Sequence, residues 1–492
     1  MVFILCIVLF FPFRYRFEFD HDEGINAIKA MLNIQGHQLY SDVWSDQPPV
    51  FNILLTLWFR LFGLNITAGR GFVLLFSASI LWVTIQYLRR FFGDLHAIFG
   101  ILAMTLLPLY LRLSVSIMIG LPSITLALLS FFALVLWHKF GDSRWLLLSA
   151  SALGLSIMTK LFTAFLVPIF FSGILLSGLI EFRQSREWLK ACVPSMLWLT
   201  VFSVVAGSLL LFVVRPENVS QLTQVHLTAG DSELFRTYAE NKILIYFSNI
   251  MDSLPVLMLA FLGGIFAYRS RSWTAMYLVA WVVLGAILLF FNVPFWYHQL
   301  LLITVPAAIL AAIAVGDGLY AFQNFLRSRE TTDASIGLSF LSLILVIAYL
   351  ATRLPPTFKK LDLKLPNLRG HTTEDLAEYG IVASMWNYAK QTNWVYTDRP
   401  MFAFRAHLPV PPYLAVMSKK RIAAGVLTDD QIFEILVEYQ PEQVFQERLD
   451  LPAVQEYMSI RNFRRIDSTN KFRLFVRNEI LQLYKSPASI PN

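Results

Sequence analysis

Apolar runs long enough to cross a bilayer recur along the first 350 positions, which excludes an ordinary soluble domain. A membrane-spanning helix needs about 20 such residues. Eleven segments are candidates, near 1–13, 68–88, 95–112, 115–137, 145–158, 161–180, 188–214, 243–268, 273–292, 298–318 and 336–351. Because lipid offers no partners to backbone amides, continuous runs of this kind read as helices, whereas barrel strands would alternate apolar and polar residues. With 56% hydrophobic and 15% charged residues, the chain is expected to be a polytopic α-helical membrane protein of about eleven spans. The first run is short and lacks a basic flank, which suggests either a truncated gene start or a helix finished by Phe10 to Phe17; no small-residue cleavage site follows it, so it does not read as a removed signal. Cys6 and Cys192 lie in apolar helices, 186 positions apart, and read as packing residues.

Basic residues set the orientation. Arg89 and Arg90, Lys139 and Arg144, Arg183, Arg186 and Lys190, Arg269 and Arg271, and Arg327 and Arg329 occupy five alternate connections, which are taken as the cytoplasmic side. Residues 14–67, the turns near 113 and 160, residues 215–242, the turn at 292–297, and everything after 352 then face outward. The expected location is the bacterial plasma membrane with an outward-facing site. The formal charge of +7 follows from this topology and from headgroup contacts, so no nucleic-acid partner is implied.

The long outer connection 14–67 is expected to carry two interfacial helices, one over about 22–35 ended by Gly36, the other over 47–63 opened by Pro48 and Pro49. Prolines at 355, 356 and 366 mark a linker over 353–366. Beyond it, 367–492 reads as a small extracytoplasmic α/β domain, with strands at 394–397, 443–446 and 472–477 between helical pieces. That domain has no phosphate-binding glycine loop and no metal-spaced Cys or His set, so no active site of its own is expected. Residues 1–352 form the transmembrane module.

Asp20, Asp22 and Glu23 stand within four positions in FEFDHDEGINAIKA, beside an apolar segment. Three carboxylates crowded at a membrane boundary repel one another unless water, a cation or a substrate offsets the repulsion. The plainer reading is an N-cap with favourable dipole charges. Asp42 and Asp46 follow on the same connection, beside Tyr40 and Trp44. Carboxylates with aromatic faces in a wet cleft suit a sugar, which stacks on rings and donates from hydroxyls. Lys160 lies at an outer turn between apolar helices, where a lone lysine calls for an anionic partner such as a lipid phosphate, or snorkels to headgroups.

The stretch DHDEGINAIKAMLNIQGHQLYSDVWSDQPPVFNIL resembles the GT-C glycosyltransferases of the dolichyl-phosphate-mannose:protein mannosyltransferase-like group, whose bacterial relatives include lipid A glycosyltransferases. It shows an acidic pair, a helix closed by Gly, a Tyr-x-Asp step and a Pro-Pro pair in that family's order. AGR at 68–70, LGLSIMTKLF at 153–162 and FWYHQLLLITVP at 295–306 extend the likeness. The resemblance implies transfer of a sugar from a polyprenyl-phosphate donor to a lipid, glycan or protein acceptor on the outer face. Inverting displacement needs a base for the acceptor hydroxyl. The family's leading acid falls on Asp22, or on Asp20 in the other register, with Glu23 as its second acid. Lys160, and Arg70 more weakly, would hold lipid phosphate; Tyr297 and His298 could bind phosphate or sugar. Relatives often carry an acid on the second outer loop, but SVSIMIGLPS at 114–123 has none. No cofactor is certain, and a divalent cation stays open. Asn65 and Asn218 match the glycosylation acceptor pattern.

Two rivals stand. A transporter or flippase would show an internal repeat and broken, charged helices, and neither feature is apparent. A non-enzymatic polysaccharide-assembly subunit could use the outer domain to bind a partner.

Overall fold

A computed structural model describes residues 1–10, 14–181, 188–228, 236, 240–251, 253–328, 333–362, 373–467 and 471–485. The chain opens with α1 (Val2–Phe10), α2 (His21–Ile34), α3 (Val50–Phe62), α4 (Ile66–Phe91), α5 (Asp94–Thr105), α6 (Pro108–Leu113), α7 (Gly120–Phe140) and α8 (Ser143–Ile157). All eleven expected segments contain helix. Six described helices are long and apolar enough to span a membrane, Ile66–Phe91, Gly120–Phe140, Leu161–Ile180, Leu189–Val214, Trp273–Phe291 and Tyr297–Arg327. The pair Lys242–Met251 and Leu254–Arg269, bent by 80°, would make a seventh. Among the described residues, length and composition do not confirm the expected count of eleven spans. α5, α8 and Phe340–Arg353 are apolar but short.

The helix Leu301–Ser328 is the axis of the bundle, buried from position 301 through 316. Its neighbour Leu254–Arg269 approaches so closely that a Cβ on Gly263 would lie 1.9 Å from the Leu310 carbonyl oxygen. Around the axis, Ile80, Tyr87, Phe131, Leu153 and Trp281 interlock in one large apolar core. α4 is 26 residues long, about 39 Å at the helical rise. It therefore separates Arg70, near its start, from Arg89 and Arg90 in its last turn.

α2 and α3 match the two expected outer helices. Asp20 caps α2 from extended backbone, and Gly36 follows the helix at φ 104°. α3 begins after Pro49 and stops at Gly63. In the C-terminal region the strands are β1 (Val395–Thr397), β2 (Gln443–Gln446), β3 (Phe463–Arg465) and β4 (Arg473–Arg477). They form one sheet in the order β1-β2-β4-β3. β1 and β2 run parallel, while β4 is antiparallel to both β2 and β3. β3 was not expected, since FRR lacks the apolar alternation that marks a strand. Helix Asp333–Asp362 runs through Pro355 and Pro356. The anticipated linker is thus helical over 353–362, and 363–366 lies outside the described residues.

A second apolar core joins the two ends of the chain. Phe17, Ile28, Met31, Phe51 and Phe59 pack in one cluster with Phe402, Phe404, Phe445 and Leu474. A Cβ on Gly24 of α2 would stand 2.4 Å from the Met401 backbone nitrogen. The helix Pro400–Arg405 therefore lies directly on α2, a contact that only glycine permits there.

Candidate active site

The site is built at the N-terminus of α2, where unpaired amides and the helix dipole favour negative charge. Asp20 Oδ1 accepts the Asp22 N–H at 3.2 Å, and its Oδ2 accepts the Tyr297 hydroxyl at 2.5 Å. Asp20 is therefore the capping residue. The Asp22 side chain, in the first turn, makes no hydrogen bond among the described residues. Potential ligand atoms of Asp20, Asp22 and His298 lie within 4.8 Å of one another. The Arg112 guanidinium lies 5.2 Å from the Tyr297 ring centroid and donates from Nε to the Phe19 carbonyl at 3.1 Å.

Asp22 is reachable by solvent yet heavily surrounded by protein, the setting of a cleft floor. Burial, then the charges of Asp20 and Asp46, push its carboxyl up to about 6, against opposition from Lys160 and Arg448. Lys160 is half-buried, its ammonium 4.8 Å from the Phe162 ring centroid, and it forms no ion pair among the described residues. Burial lowers its pKa, while Asp22, Asp46 and Asp20 act to raise it and Lys420 to lower it. Lys160 and the outer carboxylates thus share one electrostatic site, although 138 positions separate Lys160 from Asp22. His298 and Tyr297 belong to the same cluster.

Four expected site residues have other roles. Glu23 and Arg70 are fully buried and grip each other, Nε to Oε1 and Nη2 to Oε2, both at 2.9 Å. Glu23 also accepts the Phe19 and Ile117 amides at 2.8 and 3.1 Å. Arg70 donates to the carbonyls of Arg16 and Phe17. With these polar atoms engaged inside the protein, the pair ties the loop before Asp20 to α4. Tyr40 is buried, at φ 74°, and donates its hydroxyl to the Gln47 carbonyl at 2.7 Å, so its ring is not a stacking face. Asp42 is exposed and accepts the Gln38 amide at 2.7 Å, a local loop staple. Asp46, by contrast, acts on Asp22, Lys29, Lys160 and Lys420.

Several participants were not singled out from sequence. Lys29, only 3% exposed, donates to Ser45 Oγ at 3.2 Å. A lysine on the apolar face of an amphipathic helix was the available signal. Arg448 and Lys420 reach the cluster from the C-terminal region, and nothing local in their sequence announces it. Arg399, 6% exposed, donates to Glu18 at 3.4 Å, to Glu378 at 2.7 Å and to Glu447. Arg405 donates to the Phe17 carbonyl at 2.6 Å. Segment 16–19, immediately before the acidic cluster, is thus clamped between α4 and the C-terminal region. Ile117, on the loop that lacks an acid, is pinned by Glu23 on its amide and by Asn26 on its carbonyl at 2.8 Å.

Two carboxylates and an imidazole are an oxygen- and nitrogen-rich set that suits a divalent cation such as Zn²⁺ or Mn²⁺. Asp20, Asp22 and His298 would be its ligands. Nearby Lys160 and Arg112, which already act on this cluster, oppose a further positive charge.

Residues 46–210 match a family model described as dolichyl-phosphate-mannose-protein mannosyltransferase. No curated protein matches the chain. Among solved structures, ArnT from Cupriavidus metallidurans in the apo state is similar with a TM-score of 0.63 at 15% identity, over 97% of each chain. The same protein bound to undecaprenyl phosphate gives 0.58, with the same identity and coverage. The apo oligosaccharyltransferase of Archaeoglobus fulgidus gives 0.51 at 12% identity, over 87% of this chain and 66% of that one. Over residues 46–210 the chain is thus similar to the dolichyl-phosphate-mannose-protein mannosyltransferase family, and as a whole it shares its fold with these two membrane enzymes.

Proposed function

We propose that this chain transfers a sugar from a polyprenyl-phosphate-linked donor to a lipid, glycan or protein acceptor at the outer face of the plasma membrane. Asp22 is the base. It takes the proton of the acceptor hydroxyl as that oxygen bonds to the anomeric carbon. The carbon–oxygen bond to phosphate breaks, its electron pair stays on the lipid phosphate, and the anomeric configuration inverts. Lys160, with Arg112 nearby, offsets the charge gathering on the departing phosphate. Since the second pKa of a phosphate monoester is about 6, it leaves without an acid partner.

The observation that carries this reading is Asp22 itself: solvent-reachable, free of hydrogen bonds among the described residues, and held at about 6, where a carboxylate can accept a proton at neutral pH. The family match supports a sugar-transfer chemistry, and the similar structure bound to undecaprenyl phosphate supports a polyprenyl-phosphate carrier. The outward orientation rests on the basic connections. The C-terminal region, about 367–492, is read as an outer unit that braces the site.

The test compares surface lipids and glycans by mass spectrometry in cells with the intact gene, without it, and with Asp22→Asn. A sugar present only with the intact gene is the expected result. Identical profiles in all three strains, with no donor bound by the purified protein, would refute the assignment.

A further inference from the structure

Among the described residues, two arginines are buried beyond solvent contact, and they differ in one respect. Arg70 fills the fork formed by its Nε and Nη2 with the two oxygens of Glu23. Arg421 is equally buried at 0% exposure, but its Nε and Nη2 have no hydrogen-bond partner among the described residues. Only its Nη1 is engaged, donating to the carbonyls of Tyr413 at 2.7 Å and Val416 at 3.2 Å. The guanidinium plane is held by aromatic rings, with Trp44 at 4.1 Å and Tyr413 at 4.4 Å from its central carbon to the ring centroids. A guanidinium loses much of its hydration on burial, and two unanswered donors there are costly. Such a side chain, stacked between rings and with its bidentate edge buried but unanswered, has the donor set that recognises a carboxylate or phosphate.

Its position ties it to the site. Trp44 immediately precedes Ser45, which accepts the Lys29 ammonium, and Asp46, whose charge acts on Arg421 and Lys420 on one side and on Lys160 and Asp22 on the other. The fork therefore belongs to the C-terminal region and lies against Trp44, at its junction with the connection between α2 and α3.

We infer that Arg421 forms an oxyanion subsite, in which its Nε–Nη2 fork binds a phosphate-like group of a substrate beside the Asp22 cluster. This rests on the transferase reading above and extends it by giving the C-terminal region a direct part in substrate recognition. The phosphate could be that of the lipid-linked donor or one carried by the acceptor.

The test uses the full chain in lipid nanodiscs, with inorganic phosphate, farnesyl phosphate and farnesol as probes. Arg421→Lys keeps the charge and removes the fork. At an unchanged unfolding temperature without ligand, it should weaken inorganic phosphate binding by about 10-fold or more, as loss of a charge-assisted bidentate contact does. A parallel loss for farnesyl phosphate assigns the subsite to the donor; farnesyl phosphate binding kept within about 3-fold assigns it to the acceptor. Farnesol binding stays unchanged in either case. Wild-type affinity of Arg421→Lys for both phosphates overturns the proposal. Lys160→Ala separates the two claims, because it should weaken farnesyl phosphate and leave the Arg421 subsite intact. Loss of phosphate binding in Arg421→Lys, combined with normal transfer by Asp22→Asn, would retain the subsite and refute the transferase mechanism. Should Arg421→Lys not fold, tungstate soaked into wild-type crystals decides: an anomalous peak at the fork supports the subsite, and a water alone there overturns it.

Discussion

Tyr297 donates its hydroxyl to Asp20 Oδ2 at 2.5 Å, across 277 positions of sequence. The other oxygen of Asp20 caps α2, whereas the Asp22 side chain is left for the proposed chemistry. Asp20→Asn keeps a good cap, so it should cost well under about 1 kcal/mol and reduce turnover modestly through the Tyr297 contact. Asp22→Asn should leave folding intact and lower turnover roughly 100-fold or more, since an amide cannot accept the proton. Turnover of the purified variants with a polyprenyl-phosphate sugar measures both. Near wild-type rates in both would remove the catalytic role of this pair and turn attention to Asp46.

The pH profile follows from Asp22. Its carboxyl is raised to about 6, so the basic form is lost as pH falls through that value. Turnover should drop about tenfold per pH unit below 6 and level off above it. Stability has the opposite sign. A raised carboxyl favours the folded state fully below its unfolded value of 3.8, and this contribution disappears as pH rises through about 6. Unfolding temperature measured from pH 4 to 7 should therefore show less alkaline loss in Asp22→Asn than in wild type.

Glu23 and Arg70 should behave as a structural pair. Removing either partner strands a charge at a fully buried position and should destabilise by about 3–5 kcal/mol. Arg70→Ala is expected to lower yield and unfolding temperature, while farnesyl phosphate affinity per folded molecule stays at the wild-type level. A selective loss of that affinity with unchanged stability would return Arg70 to the phosphate site.

Gly24→Ala tests the seating of the C-terminal region on α2. A methyl group 2.4 Å from the Met401 amide nitrogen must push the helix Pro400–Arg405 away, and with it Arg399 and Arg405, which hold segment 16–19. Turnover should fall by about 10-fold or more, because small displacements of catalytic groups are costly. Protease cleavage after position 353 should also become faster. Unchanged turnover and proteolysis would show that the contact is dispensable.

Orientation can be read by labelling. In a background without Cys6 and Cys192, an impermeant maleimide added to sealed cells should modify Asp42→Cys and spare Asp142→Cys, which caps α8 at the opposite end of the bundle. Modification at 142 would invert the topology.

Chelation should leave turnover within about 2-fold, because Lys160 and Arg112 supply the positive charge that a cation would bring. A loss restored by Mn²⁺ or Zn²⁺ would instead assign Asp20, Asp22 and His298 as ligands.

The helical segments, the two outer helices and three of the four strands were legible in the sequence because each depends on a local pattern: apolar run length, glycine and proline stops, and alternation. DHDE was legible as a cluster for the same reason. The chain alone did not divide its labour. Asp20 caps α2 through a local bond, but the partner of its other oxygen, Tyr297, comes from 277 positions away, and Arg70 meets the carboxylate of Glu23, 47 positions away. Arg399, Lys420 and Arg448 carry no local mark of function; packing of the Pro400–Arg405 helix on α2 brings their part of the chain to the site. Local patterns specify elements because backbone hydrogen bonding and burial act over a few residues. A charge acquires its role from neighbours that share its dielectric surroundings, and only tertiary packing brings those neighbours together.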